Sequence, residues 1–353
     1  KTLKLVASIT IFTPKPNSMK RFFTLLISLT ATVTMMWAQS DRSHGYVKCV
    51  TMEQDAAMRA NNPKMLSQEE SIAQFEQWMA IKIAERKANP ELQRQATYTI
   101  PYVVHVVHSG EAVGTGTNIS QALVDEQMEQ LNEDFRRENA DTVNTPAMFQ
   151  AVAAGLDIEF LPAVVDPDGN IMPEPGINRV DGLAEFGTSV WGTGAIDATL
   201  KPATYWDRSL YMNVWVCDIS GGILGYAQFP SNSTLPGFNA NEGPAETDGV
   251  VLLYSSVGGL DLPGTAVPYH LGRTLTHELG HWIGLRHIWG DGGCAAPDYC
   301  DDTPESDGPN FGCPSVTNCG SVDMPENYMD YSDDDCFNLF TFDQFDRVET
   351  VLA

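Results

Sequence analysis

The stretch HELGHWIGLRH, residues 277–287, places three histidines and one glutamate at fixed offsets in a sequence typical of a helix. If the helix ends at Gly284, His277 and His281 lie one turn apart on the same face. That spacing lets two imidazoles bind one metal ion. Glycine at position 284 can leave the helix with an unusual backbone conformation, which brings His287 back towards the pair. The stretch therefore predicts three histidine ligands around one ion.

The number of ligands decides which kind of metal site the motif predicts. Three protein ligands leave a fourth position for water, as in catalytic zinc sites, whereas structural zinc sites are closed. Glu278 is rotated away from the two helical histidines but can reach a water on the metal. The alternative, a helix with surface histidines, is disfavoured because all five specified positions of HExxHxxGxxH match. Three other histidines stand alone and are interpreted as structural: His105, His108 and His270.

A second motif supports the first. The stretch ENYMDYSDDDC, residues 326–336, carries a methionine downstream of the third histidine. A methionine in a tight turn after HExxHxxGxxH is the metzincin pattern. Met329 is therefore predicted to lie beneath the metal as a hydrophobic base and not as a ligand. The methionine alone would be weak evidence, because the chain has 13 of them.

Together these motifs resemble the pappalysin family of metzincins, in the bacterial branch often called cytophagalysin-like. The resemblance covers about Ile100 to Phe342. The matching stretches are IPYVVHVVH, LNEDFRRENAD, GGILGYAQFP, HELGHWIGLRHIWGD, DDTP, GCP and NYMDYSDDDC. It implies an α+β, zincin-like fold, with a twisted mixed sheet and two long helices above a cleft. An irregular, disulfide-bound lower subdomain would lie below the cleft.

The resemblance also implies roles for individual residues. Glu278 would be the general base, and the zinc ligands would be His277, His281 and His287. Tyr331, two residues after the methionine, corresponds to a tyrosine that can swing to the tetrahedral intermediate. The stretch WAQSDRSHGYVKCVT departs from relatives in one place, because it has Val50 where they usually carry glycine.

The N-terminal sequence predicts export. From Met19 the chain reads MKRFFTLLISLTATVTMMWAQS, with two basic residues followed by an uncharged apolar run, as in a secretory signal peptide. Ser67 and Glu70 then form a capping-box pattern for a helix that Pro90 would end. Further along, the apolar spacing over residues 120–139 predicts a long amphipathic helix. Four runs predict strands: IPYVVHVVH, LDIEFLPAVV, YMNVWVCDI and GVVLLYS. The expected domains are an upstream extension (1–18), a signal peptide (19–39), a removable pro-segment (40–95) and a catalytic domain (96–353). Within the last, the upper subdomain would reach to about residue 284.

The amino-acid composition limits the kinds of partner that the protein is expected to bind. The chain of 353 residues has 21 Lys and Arg against 46 Asp and Glu, a net charge of −25. This argues against a nucleic-acid partner, which requires a basic face. After the predicted signal peptide no stretch is apolar enough to span a bilayer. The expected partners are protein or peptide substrates, and the oligomeric state stays open.

Cysteine usage fits an exported protein. The seven cysteines are an odd number, so at least one thiol is left over. Cys49 lies in the predicted pro-segment, apart from the others, and a thiolate is a good zinc ligand. It is predicted to block the open coordination position, the alternative being an idle or dimer-forming thiol. The resemblance implies the disulfides Cys294–Cys319 and Cys313–Cys336, which leaves Cys217 and Cys300 to pair only by elimination.

Two acidic stretches carry further predictions. The loop CAAPDYCDDTPESDG is rich in oxygen ligands, and the resemblance favours Asp298 and Thr303 for a structural calcium over a merely solvated loop. In DYSDDDC, at least one carboxylate is expected to line the pocket for the residue after the scissile bond. Asp335 matches the position relatives use, which predicts cleavage before Arg and less readily before Lys. The alternative is that these carboxylates are solvated or bind calcium. The same preference would place activation cleavage at or near Arg94.

Three functional hypotheses follow. The first is a secreted zinc endopeptidase made as a latent zymogen. The second is a catalytically silent exported binding protein on a metzincin scaffold, which the intact Glu278 disfavours. The third is a zinc amidase that acts on a non-peptide substrate, which the resemblance disfavours.

Overall fold

The structure, a computed structural model, describes residues 40–41, 44–89, 97–231, 235 and 243–353. The predicted upstream extension, the predicted signal peptide and the connector around Arg94 lie outside the described residues. In the part of the chain that is described, no helix has the length and apolar character needed to cross a membrane. The fold below is that of Asp41–Ala353, which internal contacts group together.

Twelve strands are present among the described residues. They are β1 Ser40–Asp41, β2 Tyr46–Val47, β3 Tyr98–His108, β4 Ala153–Ala154, β5 Ile158–Pro162, β6 Ile177–Asp181, β7 Met212–Cys217, β8 Gly225–Ala227, β9 Val250–Leu253, β10 Thr317–Asn318, β11 Ser321–Val322 and β12 Phe340–Thr341. The α-helices are α1 Thr51–Asn61, α2 Gln68–Ala88, α3 Gln121–Arg136, α4 Gly182–Phe186, α5 Thr193–Ala195, α6 Lys201–Thr204, α7 Arg273–Trp282 and α8 Phe342–Leu352, with a π-helical turn over Ile196–Leu200. Short 3₁₀ turns connect several of them.

The central sheet has the order β5–β3–β7–β9–β8, with β6 also paired to β3. The 11 residues of β3 are long enough to pair with β5 in their first half and with β6 in their second. All these strands are parallel except β8, which runs antiparallel to β9. Strand β7, MNVWVC, is buried at every position, as expected of a parallel sheet covered on both faces. The antiparallel strand β8 therefore forms one edge of the sheet.

Two helices cover one face of the sheet, as the family resemblance implied. Helix α3 packs on β5 and on α7, and α7 packs on β8 and β9. The sequence predicted α3 over residues 120–139, but it ends at Arg136 because Arg137 takes a left-handed conformation with φ of 56°. The capping box of α2 is confirmed, since Ser67 and Glu70 bond reciprocally at the helix start. The sequence thus predicted these helices to within three residues.

The lower part of the chain is mostly irregular and is held by disulfides. The predicted bridges Cys294–Cys319 and Cys313–Cys336 are both present. The pairing of Cys217 with Cys300 is wrong, because both are free and buried. Cys217 ends a central strand within the apolar cluster on the other sheet face, whereas Cys300 lies in the loop beside Asp298. The pairing by elimination relied only on the even number of cysteines that remained. In the fold the two residues have different positions, one in the central sheet and one in a loop.

Candidate active site

Helix α7 carries the first two histidines of the motif. It is buried from Arg273 to His281, and Gly284 leaves it with φ of 96°. The chain then returns, so that the Nε2 atoms of His281 and His287 lie 3.1 Å apart. One ligand atom from each of the three motif histidines and the Cys49 sulfur all lie within 4.8 Å of one another. The structure therefore brings the three predicted ligands and the predicted switch cysteine to one point.

Hydrogen bonds orient each of the three rings. His277 Nδ1 lies 2.7 Å from the carbonyl oxygen of Tyr328, and His281 Nδ1 lies 2.9 Å from that of Leu285. His287 Nδ1 lies 2.6 Å from a carboxylate oxygen of Asp291. Acceptors at Nδ1 place the ring proton there and leave the Nε2 lone pair free, which is the usual outer support of metal-binding histidines. All three lone pairs thus face inward.

The cluster fits zinc. His277 Nε2 is buried and has no hydrogen-bond partner in the described structure, although such groups are rarely left unsatisfied. Burial lowers the pKa of His277 and of His281 well below the usual range, so both rings are neutral at neutral pH, as metal binding requires. Three imidazoles and one open position match a catalytic zinc site.

Glu278 lies beside this cluster. Burial raises its pKa to about 8, against the lowering effect of hydrogen bonds from Thr51 and Cys49. One carboxylate oxygen accepts from the Thr51 hydroxyl at 2.9 Å and from the Cys49 thiol at 3.4 Å, while the other has no partner. A Cβ at Gly225 of β8 would lie 2.9 Å from Glu278 Cγ. The glycine therefore makes room for the glutamate against the edge strand.

Residues 44–89, here called the N-terminal segment, enter the site along β8. Val47 bridges to Ile223 in parallel, and the Val50 amide donates to the Gly225 carbonyl at 3.3 Å. Cys49 is fully buried. Burial, with help from Glu278, raises the pKa of its thiol well above the usual range, so a thiolate at this place requires a cation beside it.

Tyr331 and Met329 lie on the other side of the histidines. The Tyr331 hydroxyl donates to the Cys49 carbonyl at 3.3 Å, and its ring contacts the rings of His277 and His287. The Met329 sulfur occupies the space where a Cβ at Gly280 would lie. Gly280 is thus required on α7 because the methionine packs directly against the helix that holds two of the ligands.

The three consecutive aspartates of DYSDDDC have different environments. Asp334 is fully buried, and one of its oxygens accepts from Lys48 Nζ at 3.0 Å. The other accepts from the Leu271 amide at 2.8 Å. The Lys48 ammonium also lies 4.2 Å from the centre of the Tyr269 ring. Asp335, the residue predicted to line the pocket, is exposed, so Asp334 is the fully buried carboxylate of the three.

The loop predicted to bind calcium has its two predicted ligands in contact. The Thr303 hydroxyl donates to one oxygen of Asp298 at 2.7 Å, and the Cys300 amide donates to the other at 3.0 Å. Burial raises the pKa of Asp298 to about 6. Nearby, one oxygen of Asp302 is buried and has no hydrogen-bond partner in the described structure.

Sequence reasoning missed two sets of residues around the site. Asp291 supports His287, and its position four residues after the third histidine was a usable signal. The second set is an ion cluster of Glu76, Arg286 and Arg347. Its members are far apart in the chain, so the sequence gives no signal that pairs them.

Sequence comparisons agree with this site. The peptidase M43 family model, described as pregnancy-associated plasma protein-A, matches residues 197–353. An extracellular metalloprotease of Pyricularia oryzae is 32% identical over 281 residues, which cover 78% of this chain and 82% of that protein. An extracellular metalloprotease of Colletotrichum graminicola is 33% identical over 277 residues, which cover 76% and 82% respectively.

Solved structures are similar over most of the described chain. Mature mirolysin from Tannerella forsythia, in complex with a cleaved peptide, is 40% identical with a TM-score of 0.61, covering 72% of this chain and 90% of that one. Promirolysin from the same bacterium is 37% identical with a TM-score of 0.62, covering 80% and 90%. With this identity to extracellular metalloproteases over most of its length, and a fold shared with mirolysin, the chain belongs to the pappalysin family of metalloproteases.

Proposed function

We propose that this chain is a secreted, latent zinc endopeptidase that cleaves peptide bonds before Arg or Lys. In this proposal residues 19–39 are the signal peptide and residues 40–95 are the inhibitory pro-segment. The observation that carries it is the position of Cys49 within the histidine cluster, since a thiol held there excludes water and substrate from the same volume. The mature and pro-forms of mirolysin among the similar structures support this reading.

The residues fit peptide hydrolysis. His277, His281 and His287 would hold a zinc ion, which would supply an acidified water and polarise the substrate carbonyl. Glu278 takes the water proton on its unpartnered oxygen and later delivers it to the leaving amine. The Tyr331 hydroxyl, freed from the Cys49 carbonyl when the N-terminal segment leaves, donates to the developing oxyanion.

The experiment measures zinc content and casein cleavage of the processed chain beside a Glu278→Ala variant. We expect one zinc per chain in both proteins and a loss of cleavage of at least about 100-fold in the variant, because general bases contribute on that scale. A protein that holds zinc but cleaves nothing would instead be a silent binding protein on this scaffold. Full activity in Glu278→Ala would remove the assigned base.

The preference for a cationic residue after the scissile bond rests on Asp334. Its buried carboxylate already holds the ammonium of Lys48, so the pocket accepts a cationic side chain of that length. A guanidinium can use both carboxylate oxygens and suits such a pocket better than an ammonium. We therefore assign to Asp334 the role that the sequence suggested for Asp335.

A structural calcium at Asp298 and Thr303 is part of the same proposal. The loop offers carboxylate, hydroxyl and carbonyl oxygens, the donor set that calcium prefers, and the unpartnered Asp302 oxygen lies in the same stretch. A calcium-selective chelator that leaves zinc in place should lower the melting temperature. An unchanged melting temperature, with zinc retained, would leave no role for calcium.

A further inference from the structure

We propose that Arg286 and Arg347 form a carboxylate-binding site that Glu76 fills in the latent chain and that takes an acidic side chain of a substrate after activation. The proposal rests on the proposed function, because it requires removal of the N-terminal segment. It adds a second recognition site, of opposite charge preference to the pocket of Asp334.

The carboxylate of Glu76 is bound on both oxygens. Arg347 donates to them through two guanidinium nitrogens, at 2.7 Å and 2.9 Å, and Arg286 donates through Nε at 3.1 Å. Arg347 is 2% exposed and Arg286 is 8% exposed. A bidentate guanidinium with a second cation beside it is a strong and geometrically specific carboxylate receptor.

The receptor is built from residues outside the N-terminal segment. Arg347 is anchored by a bond to the Gly284 carbonyl at 3.0 Å. Both guanidinium groups lie over the ring of Tyr299, at 5.6 Å for Arg347 and 5.9 Å for Arg286. None of these contacts uses a residue of the N-terminal segment, whereas removal of Glu76 takes away the carboxylate that is hydrogen-bonded between the two guanidinium groups. A substrate carboxylate would restore the hydrogen bonds and the charge pairing that Glu76 provides in the latent chain.

The receptor adjoins the catalytic centre. Arg286 directly precedes the ligand His287, and the Phe229 ring contacts both the His281 ring at 5.4 Å and the Arg286 guanidinium at 5.5 Å. Phe229 follows the end of β8, the edge along which the N-terminal segment lies. An extended substrate on that edge, at about 3.3 Å per residue, reaches the receptor within a few residues of the scissile bond.

The position of the receptor fixes the side of the scissile bond. Val47, next to Lys48, pairs near the start of β8, whereas Phe229 lies past its end. The Asp334 pocket and the arginine pair are therefore at opposite ends of the edge strand. If a cationic residue follows the scissile bond, the acidic residue precedes it.

The test uses pairs of quenched peptides that differ only by Glu or Gln at each of the four positions before the scissile bond. With the processed wild-type enzyme we expect kcat/KM to be about tenfold higher for Glu at one of these positions, since hydrogen bonds to a charged group contribute on this scale. Arg347→Gln should bring that ratio close to one. Arg136→Gln, which replaces a partly buried arginine elsewhere on the domain, is the control and should keep the ratio.

A binding readout separates this proposal from the proposed function. The Glu278→Ala protein, processed by an added protease, is titrated with the best Glu peptide and its Gln partner by calorimetry. Tighter binding of the Glu peptide, lost in Glu278→Ala/Arg347→Gln, supports the receptor even if no peptide is cleaved. Equal binding and equal cleavage of Glu and Gln peptides at every position would overturn it, as would a preference that survives both Arg347→Gln and Arg286→Gln.

Discussion

Cys49 and Glu278 share one small volume, since their side chains are in hydrogen-bond contact beside the histidines. We expect Cys49→Ala to give the unprocessed chain measurable proteolytic activity, because the variant lacks the sulfur that fills the open coordination position. The measurement is the initial rate on a quenched peptide, with gels to exclude processed enzyme. Cys300→Ala, which removes another buried free thiol, should stay latent. A Cys49→Ala chain as silent as wild type would rule out the switch.

Asp334 and Asp335 are adjacent in the chain but differ in burial, so replacing each in turn tests which of them binds a cationic substrate side chain. Asp334→Asn should lower kcat/KM for cleavage before Arg by roughly 10–100-fold, because a buried carboxylate that binds a guanidinium is lost. Asp335→Asn removes the same charge one residue away at an exposed position and should change little. Peptide-library profiling of both variants is the measurement. The assignment fails if the Arg preference survives in Asp334→Asn or disappears in Asp335→Asn.

The histidines and aspartates of the site differ in how well the sequence alone could predict their positions. Helical spacing places His277 and His281 on one face, and Gly284 lets the chain return with His287, so the sequence predicted which three would meet. Three adjacent aspartates carry no such periodicity, and the turn decides which of them points inward. Lys48 identifies Asp334 as the buried one, but the pair is separated by 286 residues. Only the folded chain brings them together.

Helices α3 and α7 are joined by a buried ion pair. Arg273 donates to Asp134 at 2.6 Å, and both side chains are fully buried. Arg273→Gln leaves the carboxylate without its cation, so we expect a loss of about 3–5 kcal/mol in the free energy of unfolding. Lys82→Gln breaks the exposed pair with Glu85 and should cost less than about 1 kcal/mol. Chemical denaturation measures both.

The cost of Arg273→Gln should depend on pH. Burial raises the pKa of Asp134 to about 6, from an ordinary value of 3.8. The folded state therefore holds this proton more tightly than the unfolded state, and the group's contribution to stability falls as pH rises through that window. Loss of Arg273 raises the pKa further, so the variant should lose more stability at pH 8 than at pH 5. An equal loss at both values would contradict the account.

For helices and strands, too, local sequence signals predicted the individual elements, whereas their arrangement depends on contacts between distant parts of the chain. Capping residues and apolar periodicity predicted α2 and α3, because both signals lie within the helix itself. The strand order around β3 and the antiparallel direction of β8 depend on crossovers that no local pattern specifies. The sequence therefore predicted the strands but not their arrangement, which came from the family resemblance.

The pairing of the seven cysteines can be measured over the whole chain. Alkylation of the denatured but unreduced chain should label three thiols, Cys49, Cys217 and Cys300, since the other four are paired. Replacing Cys313 and Cys336 by serine should cost about 3 kcal/mol, because the closed loop then gains conformational entropy in the unfolded state. Thermal unfolding is the measurement. A single labelled thiol would restore the pairing of Cys217 with Cys300.

The edge of the sheet at β8 affects how readily the chain can self-associate. An uncovered edge strand presents unpaired amide and carbonyl groups, and these invite pairing with any other extended chain, including a second copy. Residues 47–50 occupy this edge through backbone pairing. The edge is therefore covered as long as the N-terminal segment is present. In the proposed activation, removal of the N-terminal segment would make the edge available to a substrate and to self-association at the same moment. The latent chain is therefore expected to self-associate less readily than the processed chain.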